Sequence, residues 1–119
     1  MEKVNLAEKL TQFSDYWSPK LVGELNGQTL RLVKLSGEFV WHHHEQEDEL
    51  FLVLEGQLTL LFRDREVILN PGEFLVIPRG MEHKPVAPEE VHVLLFEPAS
   101  TLNTGNIRSE RTVETLQRI

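Results

Sequence analysis

The stretch "EFVWHHHEQEDELF", residues 38–51, sets three adjacent histidines ahead of a run of acids. Imidazole nitrogens and carboxylate oxygens are ligands for first-row divalent cations, and a chain without cysteine has no thiolate to offer in their place. Such a run is part of a metal site, a solvated loop, or a fragment of a purification tag; its internal position and apolar flanks dismiss the tag. If the stretch is extended, side chains alternate between faces. His42 and His44 then share one face with Val40, and His43 shares the other with Phe39 and Trp41. Two imidazoles two residues apart can converge on one ion, and that ion needs further ligands from a neighbouring strand. Glu49 opens the returning run "ELFLVLEG" and is placed to supply one. Phe51 has the parity of Glu49, so it lines a pocket or packs in the core.

A second stretch, "PGEFLVIPRGMEHKP", holds His83 just after Pro78 and Gly80. Proline and glycine there fix a sharp reversal and aim the residues that follow. Taken alone, His83 reads as a turn histidine bonded to backbone. His92, in "VHVLLFE", alternates with Leu94 and Phe96 and reads as a core or pocket-wall histidine. Arg63, Arg79 and Lys84 are basic residues that could meet an anionic substrate.

These residues need elements to hold them. The runs "KLVGEL", "QTLRLVKL", "FVWHHH", "ELFLVL", "QLTLLF", "EVIL", "EFLVIP" and "VHVLLFE" are short, rich in β-branched residues, Leu or Phe, and bounded by turn chemistry. Asn26-Gly27 is a strong hairpin signal; Asp64, Asn70-Pro71-Gly72 and Arg79-Gly80 mark further turns. About eight such strands predict an all-β sandwich or barrel. Because "LFLVL" and "FLVI" are apolar on both faces, a second sheet or a second copy of the chain must cover the outer side, and a homodimer is expected. A capping box, Asn5 with Glu8, and apolar Leu6, Leu10 and Phe13 predict an N-terminal helix over about 5–16. Val113 and Leu116 after Ser109 predict a C-terminal helical tail over about 109–118.

The 119 residues suit one domain, with 40% apolar and 26% charged side chains. The net charge of −7 and the absence of a basic stripe exclude nucleic acid as a partner. The first twenty residues carry charges throughout and lack the apolar run of a signal peptide or membrane span, so no membrane partner and a cytoplasmic location are expected.

The run from Gly37 to Gly56, "GEFVWHHHEQEDELFLVLEG", resembles the first cupin motif: two histidines flanking one residue, four residues, a glutamate, six residues, a glycine. The run "GEFLVIPRGMEH", Gly72 to His83, resembles the second: glycine, five residues, proline, one residue, glycine, two residues, histidine. Four residues separate Gly37 from the first histidine where the family usually has five, and Ala87 stands where its second motif often ends in asparagine. Neither position is a ligand in the family. The flanks "WSPKLVGELNG" and "FEPASTLNTGN" are similar to small single-domain bacterial cupins often labelled mannose-6-phosphate isomerase-like, a label of sequence similarity that names no reaction.

The resemblance implies a double-stranded β-helix, or jelly-roll barrel, over about 20–98 in a single domain, 1–119. It implies one divalent transition-metal ion (iron, manganese, nickel, copper or zinc) held by His42, His44, Glu49 and His83. Three neutral imidazoles and one carboxylate leave open positions on an octahedral ion, which is the mark of a reactive or ligand-exchanging centre. The expectation is therefore a small metalloenzyme of dioxygenase, isomerase, epimerase or lyase type acting on a small oxygen-rich molecule. The alternative is a non-catalytic module that binds or senses a small molecule.

Overall fold

The computed structural model describes residues 1–119. One helix, α1 (Leu6–Leu10), precedes eight strands: β1 (Lys20–Leu25), β2 (Gln28–Glu38), β3 (Glu49–Glu55), β4 (Leu58–Leu61), β5 (Glu66–Leu69), β6 (Phe74–Ile77), β7 (Lys84–Pro98) and β8 (Gln117–Arg118). The hairpin between β1 and β2 turns on Asn26 and Gly27, both at positive φ, as a two-residue turn of matching twist requires. β7 is the organising strand. One edge runs against β2 for almost its whole length, while the other meets β4 through residues 84–86 and β3 through residues 92–96. A register shift between Leu35 and Gly37 lets this long ribbon bend and change partners, which wraps the strands into the jelly roll.

Alternation fills the interior. Val33, Leu35, Phe51, Val53, Leu58, Leu60, Val91, Val93 and Leu95 form the buried core, at spacings of two along their strands. The opposite parity of β3, β6 and β7 is apolar too, but nothing in the chain covers it. Phe74 is 60% and Val76 49% exposed, and Leu50, Leu52, Leu94 and Phe96 are half-buried. No helix is long and apolar enough to cross a membrane.

Both predicted end helices need correction. Asn5 does cap α1, accepting from the Glu8 amide at 3.1 Å, but the helix stops at Leu10 and does not continue to residue 16. The Lys34 ammonium explains the stop: it takes the carbonyls of Leu10 and Phe13, both at 2.7 Å, and pulls the chain onto the barrel. The C-terminal tail is not helical. Asn103 accepts from the Val113 amide and donates to the Arg111 carbonyl, and Thr104 pairs with Thr112, so side-chain bonds replace the helical ladder. The tail then ends as β8, parallel to β1.

Candidate metal centre

The three histidines lie between β2 and β3, outside any regular strand; the run "FVWHHH" forms one isolated bridge, His42 with His83. That bridge is a reciprocal pair, His42 N–H to His83 O at 3.0 Å and His83 N–H to His42 O at 2.9 Å. Directly opposed residues of an antiparallel pair project from the same face, and the two rings accordingly sit 4.3 Å apart. Gly80, at φ +82°, makes the turn that delivers His83, and its amide donates to the His44 carbonyl at 2.7 Å. Glu49, the first residue of β3, points to the same interior.

The result is a buried group of four. One donor atom from each of His42, His44, Glu49 and His83 can be chosen so that all lie within 4.8 Å of one another. Their protonation is legible from their partners. Nδ1 of His42 faces the Val40 carbonyl and Nδ1 of His83 the Met81 carbonyl, each at 2.9 Å; a carbonyl only accepts, so both Nδ1 atoms carry the hydrogen. In the neutral tautomer that these bonds select, the lone pair lies on Nε2, the nitrogen turned inward, as in metal-bound imidazoles whose Nδ1–H is held by a backbone carbonyl. Nε2 of His83 and Nε2 of His44 stand 3.3 and 3.4 Å from Glu49 Oε1, and none of these three atoms has a hydrogen-bond partner. Lone pairs converging in a dry interior are stable only with positive charge among them, so the donor set fits a divalent cation.

Burial, then the neighbouring His83, lowers the His42 pKa to about 4, which keeps this imidazole neutral and free to bind at neutral pH. Burial alone would raise Glu49; the neighbouring Glu97 carboxyl, followed by His44 and His83, reverses this and holds its carboxyl well below the usual range. The His42 shift carries a stability consequence. With a folded pKa below its ordinary 6.5, this group protonates first in the unfolded chain, so its contribution is complete above pH 6.5 and lost as pH falls towards 4. Metal-free protein should therefore lose about 2 kcal/mol of unfolding free energy between pH 7 and pH 5 through this group. Urea titrations at the two pH values, compared with His42→Leu, check it; an equal pH slope in the variant refutes the assignment.

An apolar cavity of about 30 Å³ ends on His42 and Glu49. Trp17, Val33, Leu35, Phe39, Phe51 and Leu95 form most of its wall, Asn103 adds an amide, and no lysine or arginine faces it. Phe51 is where parity placed it, beside His83. Phe39 is not: it sits on the ligand side, edge-on to His42 at 5.3 Å and stacked on Trp17 at 4.8 Å. Parity failed because regular pairing ends with Glu38 opposite Val86 and resumes at His42 opposite His83, one residue out of register. Trp41 does face outward, with the Arg63 guanidinium over its ring, and His43 reaches Glu45 at 2.8 Å. His92 stands on the outer face of β7 between Glu90 at 2.6 Å and Glu55 at 3.2 Å, away from the cavity. Arg63, Arg79 and Lys84 are paired with Glu82, Asp48 and Glu38 outside the cavity. Trp17, Phe39 and Asn103 are the wall residues that sequence reasoning missed.

Residues 99–113 close the barrel over this region. Asn106 exchanges hydrogen bonds with the His43 backbone, and Gly105 packs so tightly that a Cβ there would collide with the His43 carbonyl oxygen and reach 3.1 Å from the His42 ring. Gly105→Ala should therefore displace the segment and cost about 2 kcal/mol, part of it from the positive φ. Thermal unfolding measures this, and a native midpoint would show that the contact yields freely.

Known proteins resemble this chain in sequence and in fold. The chain is 44% identical over 64 residues to the uncharacterized protein YdbB of Bacillus subtilis, covering 53% of this chain and 57% of YdbB. It is 45% identical over 42 residues to quercetin 2,3-dioxygenase of the same organism, covering 35% of this chain and 12% of that enzyme. The chain thus spans little more than half of one curated relative and a small part of the other. A crystal structure of a cupin-2 domain containing protein from Shewanella frigidimarina, 46% identical, superimposes with a TM-score of 0.79 over 80% of this chain and 93% of that one. The family model of the cupin domain matches residues 30–97, more than half of the chain and the whole span from His42 to His83: this chain belongs to the cupin family.

Proposed function

We propose that His42, His44, Glu49 and His83 hold one divalent first-row ion, and that the protein is an enzyme acting on a small, neutral, largely apolar substrate that carries an oxygen donor. The observation that supports the metal is the set of buried nitrogen and oxygen atoms turned on one another without hydrogen bonds. The observation that supports a small ligand is the apolar cavity ending on two of those residues, which at about 30 Å³ admits water-sized groups and must widen for a larger substrate. Its wall has no cation to meet a phosphate or carboxylate, which argues against sugar phosphates.

A bound ion supplies Lewis acidity or, if redox-active, oxygen chemistry. The chain's own residues do the rest. The carbonyls of Val40 and Met81 hold two imidazoles in the tautomer that binds, and the Trp17–Phe39 stack and Phe51 exclude water. The 42-residue stretch that is 45% identical to a dioxygenase supports an oxygen-dependent reaction among the candidates. The open apolar face of β3, β6 and β7 supports a homodimer as the working form, and a monomeric mass by sedimentation at micromolar concentration would refute that part.

Metal analysis of untagged protein, followed by oxygen-uptake and mass-spectrometric assays with small phenols, enediols and β-diketones, tests the function. About one equivalent of a divalent ion and consumption of one substrate class are expected. Absence of any ion refutes the metal centre. Stoichiometric retention of an unchanged ligand without turnover refutes the enzyme and leaves a binding module.

A further inference from the structure

Most of the cavity wall is fixed by the sheet. Val33, Leu35, Phe51 and Leu95 stand on β2, β3 and β7, strands that are paired along both edges. Phe39 is tied down by its amide, which donates to the Pro85 carbonyl at 3.0 Å. Trp17 is different. It belongs to the irregular run between α1 and β1, and its backbone sits at φ 60°, in the left-handed region that a tryptophan rarely adopts. Contacts therefore hold the indole in place: Nε1 donates to the Ser36 carbonyl at 2.9 Å, the ring lies on Phe39, and the Arg111 guanidinium stands 5.3 Å from the ring centroid.

Behind Trp17 the surface opens into a groove of about 460 Å³, with Tyr16, Trp17 and Ser18 on one bank and Glu110, Arg111 and Val113 on the other. Trp17 is the one residue that lines both groove and cavity, so a single side chain, 6% exposed, parts them. The far bank hangs from the cavity wall itself: Asn103 donates to the Arg111 carbonyl at 2.7 Å and accepts from the Val113 amide at 2.8 Å. As it stands, the cavity admits only water-sized groups. An indole turned into the groove vacates a flat slot against Phe39, whose ring meets His42 edge-on.

Resting on the metal reading above, we propose that Trp17 is the specificity-determining residue of the site: a planar, uncharged aromatic ring bearing an oxygen donor enters from the groove, turns the indole outward and takes its place on Phe39 beside His42. The vacated slot dictates this chemistry. A planar ring regains the stacking that the indole gives up, whereas an anion would lose its hydration against a wall that holds no cation. Size is set by the same exchange, because a ring wider than the indole meets strands that the sheet fixes. Affinity then depends on the contacts Trp17 surrenders and on the room it finds in the groove.

The affinity of full-length protein, metal-free and Zn(II)-loaded, for 4-fluorophenol is measured by fluorine NMR. Wild type should bind weakly. Trp17→Phe gives up the Nε1 bond and should bind about fivefold more tightly, and Trp17→Ala, with no ring to displace, should gain about tenfold or more. Val113→Trp and Glu110→Trp fill the groove at residues that do not line the cavity, and each should weaken binding about threefold or more because the indole has nowhere to go. Val113→Trp combined with Trp17→Ala should bind as Trp17→Ala does, since no indole is left to move. A residue that merely encloses the cavity would respond to Trp17→Ala and not to the groove variants. Unchanged affinity in a folded groove variant overturns the inference, as does a double variant still weakened by the filled groove, or a wild type that binds no probe. If Val113→Trp does not fold, Glu110→Trp replaces it in both roles; if Trp17→Ala does not fold, Trp17→Phe does the same. A protein that takes up no Zn(II) overturns the metal reading, and the metal-free series then decides on Trp17 by itself. A protein that takes up Zn(II) and fails the groove test overturns this inference alone.

Discussion

His44→Leu is expected to lower affinity for a divalent transition ion by more than about 100-fold, beyond what loss of an outer hydrogen bond costs, while making the metal-free protein more stable. Both effects have one origin. His44 is buried and neither of its ring nitrogens has a hydrogen-bond partner, so without an ion the side chain costs the desolvation of two polar atoms. Leucine removes both atoms at similar volume and should gain on the order of 1 kcal/mol in the metal-free state. Unfolding midpoints with chelator and with excess metal separate the two: wild type should rise steeply on adding metal, and His44→Leu should not move. A variant that still responds to metal as wild type does would remove His44 from the ligand set.

Arg31→Met should be the most damaging single change to the fold. It leaves the buried Glu97 carboxyl in the barrel without the cation that faces it, and it strands the Thr101 carbonyl. Breaking a buried ion pair from one side costs about 3–5 kcal/mol. For a chain of this length that is a fall of roughly 12–20 °C in unfolding midpoint. Arg31→Met combined with Glu97→Leu should recover at least half of the loss, because the second change removes one of the two buried carboxyls. Additive losses in the double variant would show that Arg31 acts through packing alone.

The contrast between these two positions shows what was legible in the sequence. Spacing and strand parity separate His42 and His44 from His43, and the two motifs supply Glu49 and His83; all four ligand candidates lie in one place. The hairpin at Asn26-Gly27 was equally readable, because positive φ at both residues has a local chemical signature. Phe39 was misplaced because parity holds only while pairing is regular. Arg31 and Glu97 were missed although a signal existed. In "QTLRLVKL" the arginine shares parity with Val33 and Leu35, and in "VHVLLFE" the glutamate shares parity with Val91, Val93 and Leu95; a charge on the apolar face of each of two strands is a pair in waiting. The C-terminal tail misled because Val113 and Leu116 have helical spacing, while the side chain that overrides it, Asn103, lies ten residues before Val113. His92 was read towards the cavity from apolar neighbours that in fact line the uncovered outer face.

Trp17 sits against the cavity at a positive φ, stacked on Phe39, which itself touches His42. The chain has one other tryptophan, Trp41, which lies under Arg63 on the outside. The protein thus carries an optical gauge of its own centre. Emission from Trp17 should be quenched when a paramagnetic ion such as Co(II) or Cu(II) enters and should survive when Zn(II) does, and Trp17→Phe should abolish the difference while Trp41→Phe keeps it. Occupancy can then be followed in dilute solution by fluorescence, with no label and no substrate.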